Sequence, residues 1–218
     1  MCHEPRFQLP ENLTMVGGVN KARASLLVVP GSPALVRELA PSDEPSQRLL
    51  KTVRKASRDL PKTMEIVCSH DRKWETAQAG SFGAWGAPGV QVGGGHVLGE
   101  LVARYCLPNV TVRASRDSLS PLDPSVLTVV VIDGPAGLTV RAPLSLLPSA
   151  HHVHEQLQLL LAGKEHQQIG EGEMMRAGVV EPQLWRELQT LQPESAMLLD
   201  TDDSLGVGRY VAYWEVEQ

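Results

Sequence analysis

The chain has 218 residues, 42% hydrophobic and 21% charged, with a formal net charge of −5. That apolar content excludes disorder as the main state and suffices for a core, and the acidic balance leaves no basic excess to neutralise phosphates, so no nucleic-acid partner is expected. The longest apolar runs, Leu26–Val29 and Val126–Ile132, fall far short of the ~20 residues that span a bilayer, so no membrane partner is expected either.

In chain order, residues 1–24 come first. They are polar, contain Pro5, Pro10 and Gly17-Gly18, and lack the apolar core of a signal peptide. They read as a flexible N-terminal extension, with residues 25–218 as a single α/β domain. Met15 is a second candidate start. Ser25–Val29 is a β-branched apolar run closed by Pro30-Gly31, the pattern of a buried strand. Ser32 and Pro33 supply an N-cap and a first-turn proline for a short helix over Ala34–Ala40. Pro45–Leu60 carries Leu49, Leu50, Val53, Ala56 and Leu60 at helical spacing, with Lys51, Arg54, Lys55 and Arg58 on the other face. Met64–Cys68 is a second strand.

A polar loop opens at Ser69-His70-Asp71, and from Gly80 to Gly95 the chain is dense in glycine around Trp85. Such a loop beyond a buried strand is where α/β proteins place sites. His96–Cys106 reads as a helix and Val110–Arg113 as a strand. Ser125–Ile132 is the strongest strand signal and ends at Asp133-Gly134. Ser149–Leu161 and Pro182–Leu191 read as helices, the first stopped by Gly163. Ala196–Leu199 and Tyr210–Val216 are the last strands. The alternation predicts an α/β fold, a central mostly parallel or mixed sheet with helices on both faces.

The chemistry-bearing residues fall in three places. His151, His152 and His154 stand before Glu155 on a predicted helix, where His151 and His154 share a face and could offer ligands to Fe(II) or Zn. Polar residues at a helix start are more commonly just solvated. His70, beside Asp71 at the end of a buried strand, is the better single metal ligand. Cys68 lies close enough in sequence to His70 to suggest a thiolate pair, although a buried inert thiol is the commoner outcome. Gly93-Gly94-Gly95 precedes a helix but lacks the Lys and Ser/Thr of a phosphate-binding loop. The three cysteines, Cys2, Cys68 and Cys106, suit neither a disulfide framework nor a zinc site, which points to a reducing cytoplasm.

Four segments, in order, carry a resemblance. They are Val29–Leu39, Gly80–Pro88 with the Leu98–Leu107 helix, Asp133–Pro143, and Asp202–Ala212. Together they resemble proteins related to the catalytic B subunit of class III extradiol ring-cleaving dioxygenases, over roughly residues 25–216. Members open with Pro-His-Pro-Pro-Leu-Leu-Val-Pro-Glu-Leu, where this chain has Val29-Pro30-Gly31-Ser32-Pro33-Ala34-Leu35. Their Asp-Gly-Ser-Ala-Arg-Arg-Thr-Glu-Lys-Ala-Pro stands against Asp133-Gly134-Pro135-Ala136-Gly137-Leu138-Thr139-Val140-Arg141-Ala142-Pro143.

The resemblance implies a dioxygenase-like fold and a metal site of two histidines and a glutamate holding non-haem Fe(II). Gly31 stands where the first histidine belongs, and His70 matches the second. The glutamate and the catalytic base have no counterpart. One neutral histidine does not hold Fe(II), so the expectation is a chain without ring-cleaving activity and without a cofactor. Its cleft, built around Gly31, Ser32, His70, Asp71, Trp85 and Asp133, would be kept for a small-molecule ligand or a protein partner. The alternative is a metal-dependent oxygenase or hydrolase. In it His70 with His151, His152 or His154, and Glu155, Asp71 or Asp133, would form a rearranged Fe(II) or Zn site. Substrate and oligomeric state are not legible in the sequence.

Overall fold

A computed structural model describes residues 22–217. Among the described residues, eight strands and five α-helices follow one another. They are β1 (Arg23–Val29), α1 (Glu44–Ala56), β2 (Thr63–Val67), the short hairpin β3 (Ser81–Phe82) and β4 (Ala87–Gln91), α2 (Leu98–Cys106), β5 (Thr111–Arg116) and β6 (Leu127–Val131). Then come α3 (Ala150–Leu161), α4 (Glu171–Arg176), α5 (Pro182–Thr190), β7 (Pro193–Asp202) and β8 (Arg209–Glu217).

Six strands form one mixed sheet in the order β5-β2-β6-β1-β8-β7. The first four are mutually parallel, and β8 runs antiparallel to both β1 and β7. Side chains of a strand alternate between faces, and the core divides accordingly. Leu27, Val29, Ile66, Val129 and Val131 pack under α1 and α2. Leu26, Val28, Val130, Ile132 and Trp214 pack under α3, α4 and α5. Burial on both faces explains why the central strands read as continuous apolar runs.

α1 forms where its spacing predicts. Asp43 caps it by accepting from Ser46 N at 3.2 Å, and Pro45 sits in its first turn. Leu49, Leu50 and Val53 are its buried face, each contributing about 1.5–3 kcal/mol by burial. Leu49→Ala would empty a site with no exposure and cost roughly 2–5 kcal/mol.

Several boundaries differ from the sequence expectation. β1 begins at Arg23, so two residues of the expected extension belong to the sheet, where Arg23 pairs with Glu217 and Ala24 with Val216. Residues 1–21 of that extension, with Cys2 and Met15, lie outside the described residues. The helix expected over Ala34–Ala40 is a single 3₁₀ turn, Pro33–Leu35. Ser32 caps it, and it ends when Val36 turns extended and is buried with Leu35. Core demand there overrides weak helical propensity. The glycine-rich segment is not an open loop, because β3 and β4 pair within it through a left-handed turn at Gly86, φ 98°. α4, short and flanked by Gly170 and Gly178, carried no readable periodicity. Among the described residues no helix is long and apolar enough to cross a membrane.

Candidate functional site

The chain leaves β1 toward the α1 face and leaves β6, the neighbouring parallel strand, toward the α3–α5 face. Where such connections part over the carboxyl ends of adjacent strands, a crevice opens. Here it is a cavity of about 420 Å³ over the ends of β1, β2 and β6. Gly31, Ser32, Cys68 and Asp133 follow those strand ends and line it. Trp74, Trp85, Val131, Ile132, Pro143 and Val180 give it apolar walls.

Asp133 is the polar centre of the cavity. Its Oδ1 accepts from Gly31 N at 3.1 Å, and the Ser32 amide also donates to the carboxyl. Burial pushes its pKa up to about 6, against the lowering effects of these amides and of the positive charge on Arg209. The loop that carries it is fixed on both sides. Gly134 N donates to Gly208 O, Ala136 N to Gly178 O, and the Trp185 indole N–H to Asp133 O. Gly31 is small for a reason visible here, since a Cβ on it would meet Asp133 Oδ2 at 3.2 Å. Glycine at 31 lets the carboxyl and the β1 loop approach closely.

Cys68 faces the cavity beside Gly99, where a Cβ would come within 2.6 Å of the cysteine's own Cβ. Burial pushes the Cys68 thiol up to about 12, so it stays protonated and is no nucleophile near pH 7. Cys106 is likewise a buried free thiol, pushed up to about 12 by burial.

Of the residues singled out in the sequence, Gly31, Ser32, Trp85 and Asp133 line this one cavity, and His70, Asp71, His151 and His154 do not. His70 is exposed and pairs with Ser115 Oγ at 3.1 Å. His70 and Asp71 line a second groove of about 370 Å³ that shares Ser69 and Glu181 with the cavity. Asp71 serves locally, capping Lys73 N at 3.1 Å and pairing with the Lys73 ammonium.

His154 is not solvated, as a helix start suggested. It is buried, its Nδ1 lies 2.6 Å from the Tyr210 hydroxyl, and its Nε2 accepts from Gln158 at 2.9 Å. Burial lowers its pKa and keeps the ring neutral. His151 and Glu155 are exposed on the same helix. The rearranged ligand set is therefore not assembled: among the described residues no three of His, Cys, Asp and Glu come together to hold a metal. The side chains present do not fit the two-histidine, one-glutamate site that the resemblance implies.

Sequence reasoning missed Trp74 and Glu181. Glu181 Oε1 accepts the Trp74 indole N–H at 2.8 Å and pairs with Lys73 Nζ at 2.7 Å. This clamp joins the loop after β2 to the start of α5. The one legible signal was Glu181-Pro182 before a helix, which by itself reads as a boundary. Comparison of the chain with protein-family models finds no match, and comparison with curated proteins finds none either.

Proposed function

We propose that this protein is a non-catalytic relative of the class III extradiol dioxygenases whose strand-end cleft binds a small molecule. The observation that carries the reading is the contact between Gly31 and Asp133. The position that resembles the first metal histidine has no side chain, and the Asp133 carboxyl is hydrogen-bonded to its amide. The nearest histidine in sequence terms, His70, is turned to Ser115 outside the cavity. What remains is a half-open, mostly apolar cleft with one carboxyl at its strand-end floor, the usual make-up of a small-molecule site.

The test is elemental mass spectrometry of untagged protein purified without chelator, before and after anaerobic loading with Fe(II) and with Zn(II). The expected result is no stoichiometric metal from either ion. Near one metal per chain, lost in His70→Ala, would overturn the reading and restore the metal-dependent oxygenase or hydrolase.

A further inference from the structure

We infer that the cavity takes a small organic cation, an ammonium group on an apolar body, with the Asp133 carboxylate as its counter-ion. This rests on the binding reading above and names the chemistry of the ligand. Among the described residues, the charged side chains lining the cavity are Asp133 and Glu181, and both are acidic.

The neighbouring cations are already engaged. Lys73, the partner of Glu181, is shared with Asp71. Arg209, whose charge reaches Asp133, is fully buried between Asp43 and Asp202 and pairs with both. Lys73 between Glu181 and Asp71 leaves a net negative charge, and so does Arg209 with Asp43 and Asp202 once Arg48 and Asp200, which join Asp202, are counted.

An anion entering this space would lose water and meet carboxylates, a repulsion that a low-dielectric site magnifies. A neutral polar ligand would leave the Asp133 charge held only by the Gly31 and Ser32 amides, with no counter-ion in the cavity. A cation satisfies it through a charge-assisted hydrogen bond. The apolar walls then take the rest of the ligand, and Trp85 adds an indole, a ring type whose faces favour cations, while the Lys73 ammonium already lies over Trp74, 5.5 Å from the ring centre. The balance of a single ammonium against Asp133, with Glu181 held by Lys73, fits a monocation better than a polyamine.

The experiment uses the full chain and three probes of one shape, 2-phenylethylammonium, 2-phenylethanol and phenylacetate, titrated by calorimetry and ligand-observed NMR. At about pH 7.5 Asp133 is ionised, and the ammonium is expected to bind roughly tenfold tighter than the alcohol, with phenylacetate not binding. Asp133→Asn, which keeps an acceptor for Gly31 N, should bring the ammonium down to the affinity of the alcohol. Glu181→Gln should narrow the preference without abolishing it. Val180→Trp, on the cavity wall and 48% exposed, should block the probes and so place them in the cavity.

An alcohol or a phenylacetate that binds as tightly as the ammonium would overturn the cation inference and leave the binding reading standing. The same holds if the preference survives Asp133→Asn in a variant whose thermal melt shows it folded. No binding by any probe up to ~20 mM, weaker than about 0.3 kcal/mol per non-hydrogen atom allows, would overturn both.

Discussion

The polar groups at the start of β8 and the carboxyl that follows β6 are built on opposite principles. Arg209 turns to the α1 side of the sheet and Tyr210 to the α3 side, and each is paired with protein groups. Arg209 has no exposure and reaches Asp43, Ser46 and Asp202, tying the start of α1 to the β7–β8 turn. His154 joins Tyr210 to Gln158, and Gln158 continues to Thr201 Oγ1 at 3.1 Å. Gly134 and Gly208 pack directly on the Tyr210 hydroxyl, so no larger residue fits.

The Asp133 centre, one residue from Gly134, instead opens on a cavity and carries a carboxyl whose pKa burial has raised to about 6. The difference teaches that burial of a titratable group does not by itself mark a site. A group paired with charged and polar protein partners holds the fold together, and an incompletely neutralised group lining a cavity is available to a ligand.

The comparison can be broken most forcefully at Arg209. Arg209→Met removes the buried guanidinium from Asp43 and Asp202, leaving Asp43 to Ser46 and Asp202 to Arg48 and Ser204, and should cost about 2–4 kcal/mol in urea unfolding. A loss under about 1 kcal/mol would mean that water already reaches this centre. Next is His154→Phe, which keeps the ring volume but leaves the buried Tyr210 hydroxyl without its partner. It should cost about 1–3 kcal/mol by the same assay and leave probe binding in the cavity intact.

The open centre should respond with the opposite sign. Asp133 has a folded-state pKa of about 6 against an ordinary 3.8. Between those values the folded state holds a proton that the unfolded chain releases, so the contribution of this group to stability falls as pH rises through 6. Asp133→Asn removes the charge and should stabilise the protein by about 1–2 kcal/mol near pH 7.5, an amount reduced by the water the cavity admits. It should also flatten the dependence of melting temperature on pH between about 4 and 6. A variant less stable than the parent at pH 7.5 would show that the Asp133 carboxylate is needed for folding, like Arg209. The smallest effect belongs to His70→Ala, because the ring is exposed and holds only Ser115. The expected change in stability is within about 0.5 kcal/mol.

Much of the frame was legible in the sequence. The β-branched run at Leu26–Val29, the stretch at Leu127–Val131 and the apolar spacing of α1 each name their element, because local sterics and burial on one or both faces leave few alternatives. Gly31 and Asp133 were legible as strand-end residues for the same reason, since the last residue of a buried parallel strand delivers the chain to the crevice. Trp85 was found through the glycine-rich segment around it, even though that segment turned out to be a hairpin.

His70, His151 and His154 could not be placed in the same way. Their residue type suggests ligands, but which way a side chain turns depends on the neighbours that tertiary packing brings. Ser115 on β5 takes His70, and Tyr210 on β8, 56 residues along the chain, takes His154. Trp74 and Glu181, 107 residues apart, meet only because the loop after β2 and the start of α5 fold over the same strand ends. The sequence by itself determined the main strands and the longer helices, the layered α/β plan and the strand ends where a site would sit, since these follow from periodicity and local geometry, whereas α4 and the β3–β4 hairpin did not. The tertiary structure alone decided which charges line the cavity and which are neutralised elsewhere, because electrostatic pairing depends on distances that no local pattern encodes.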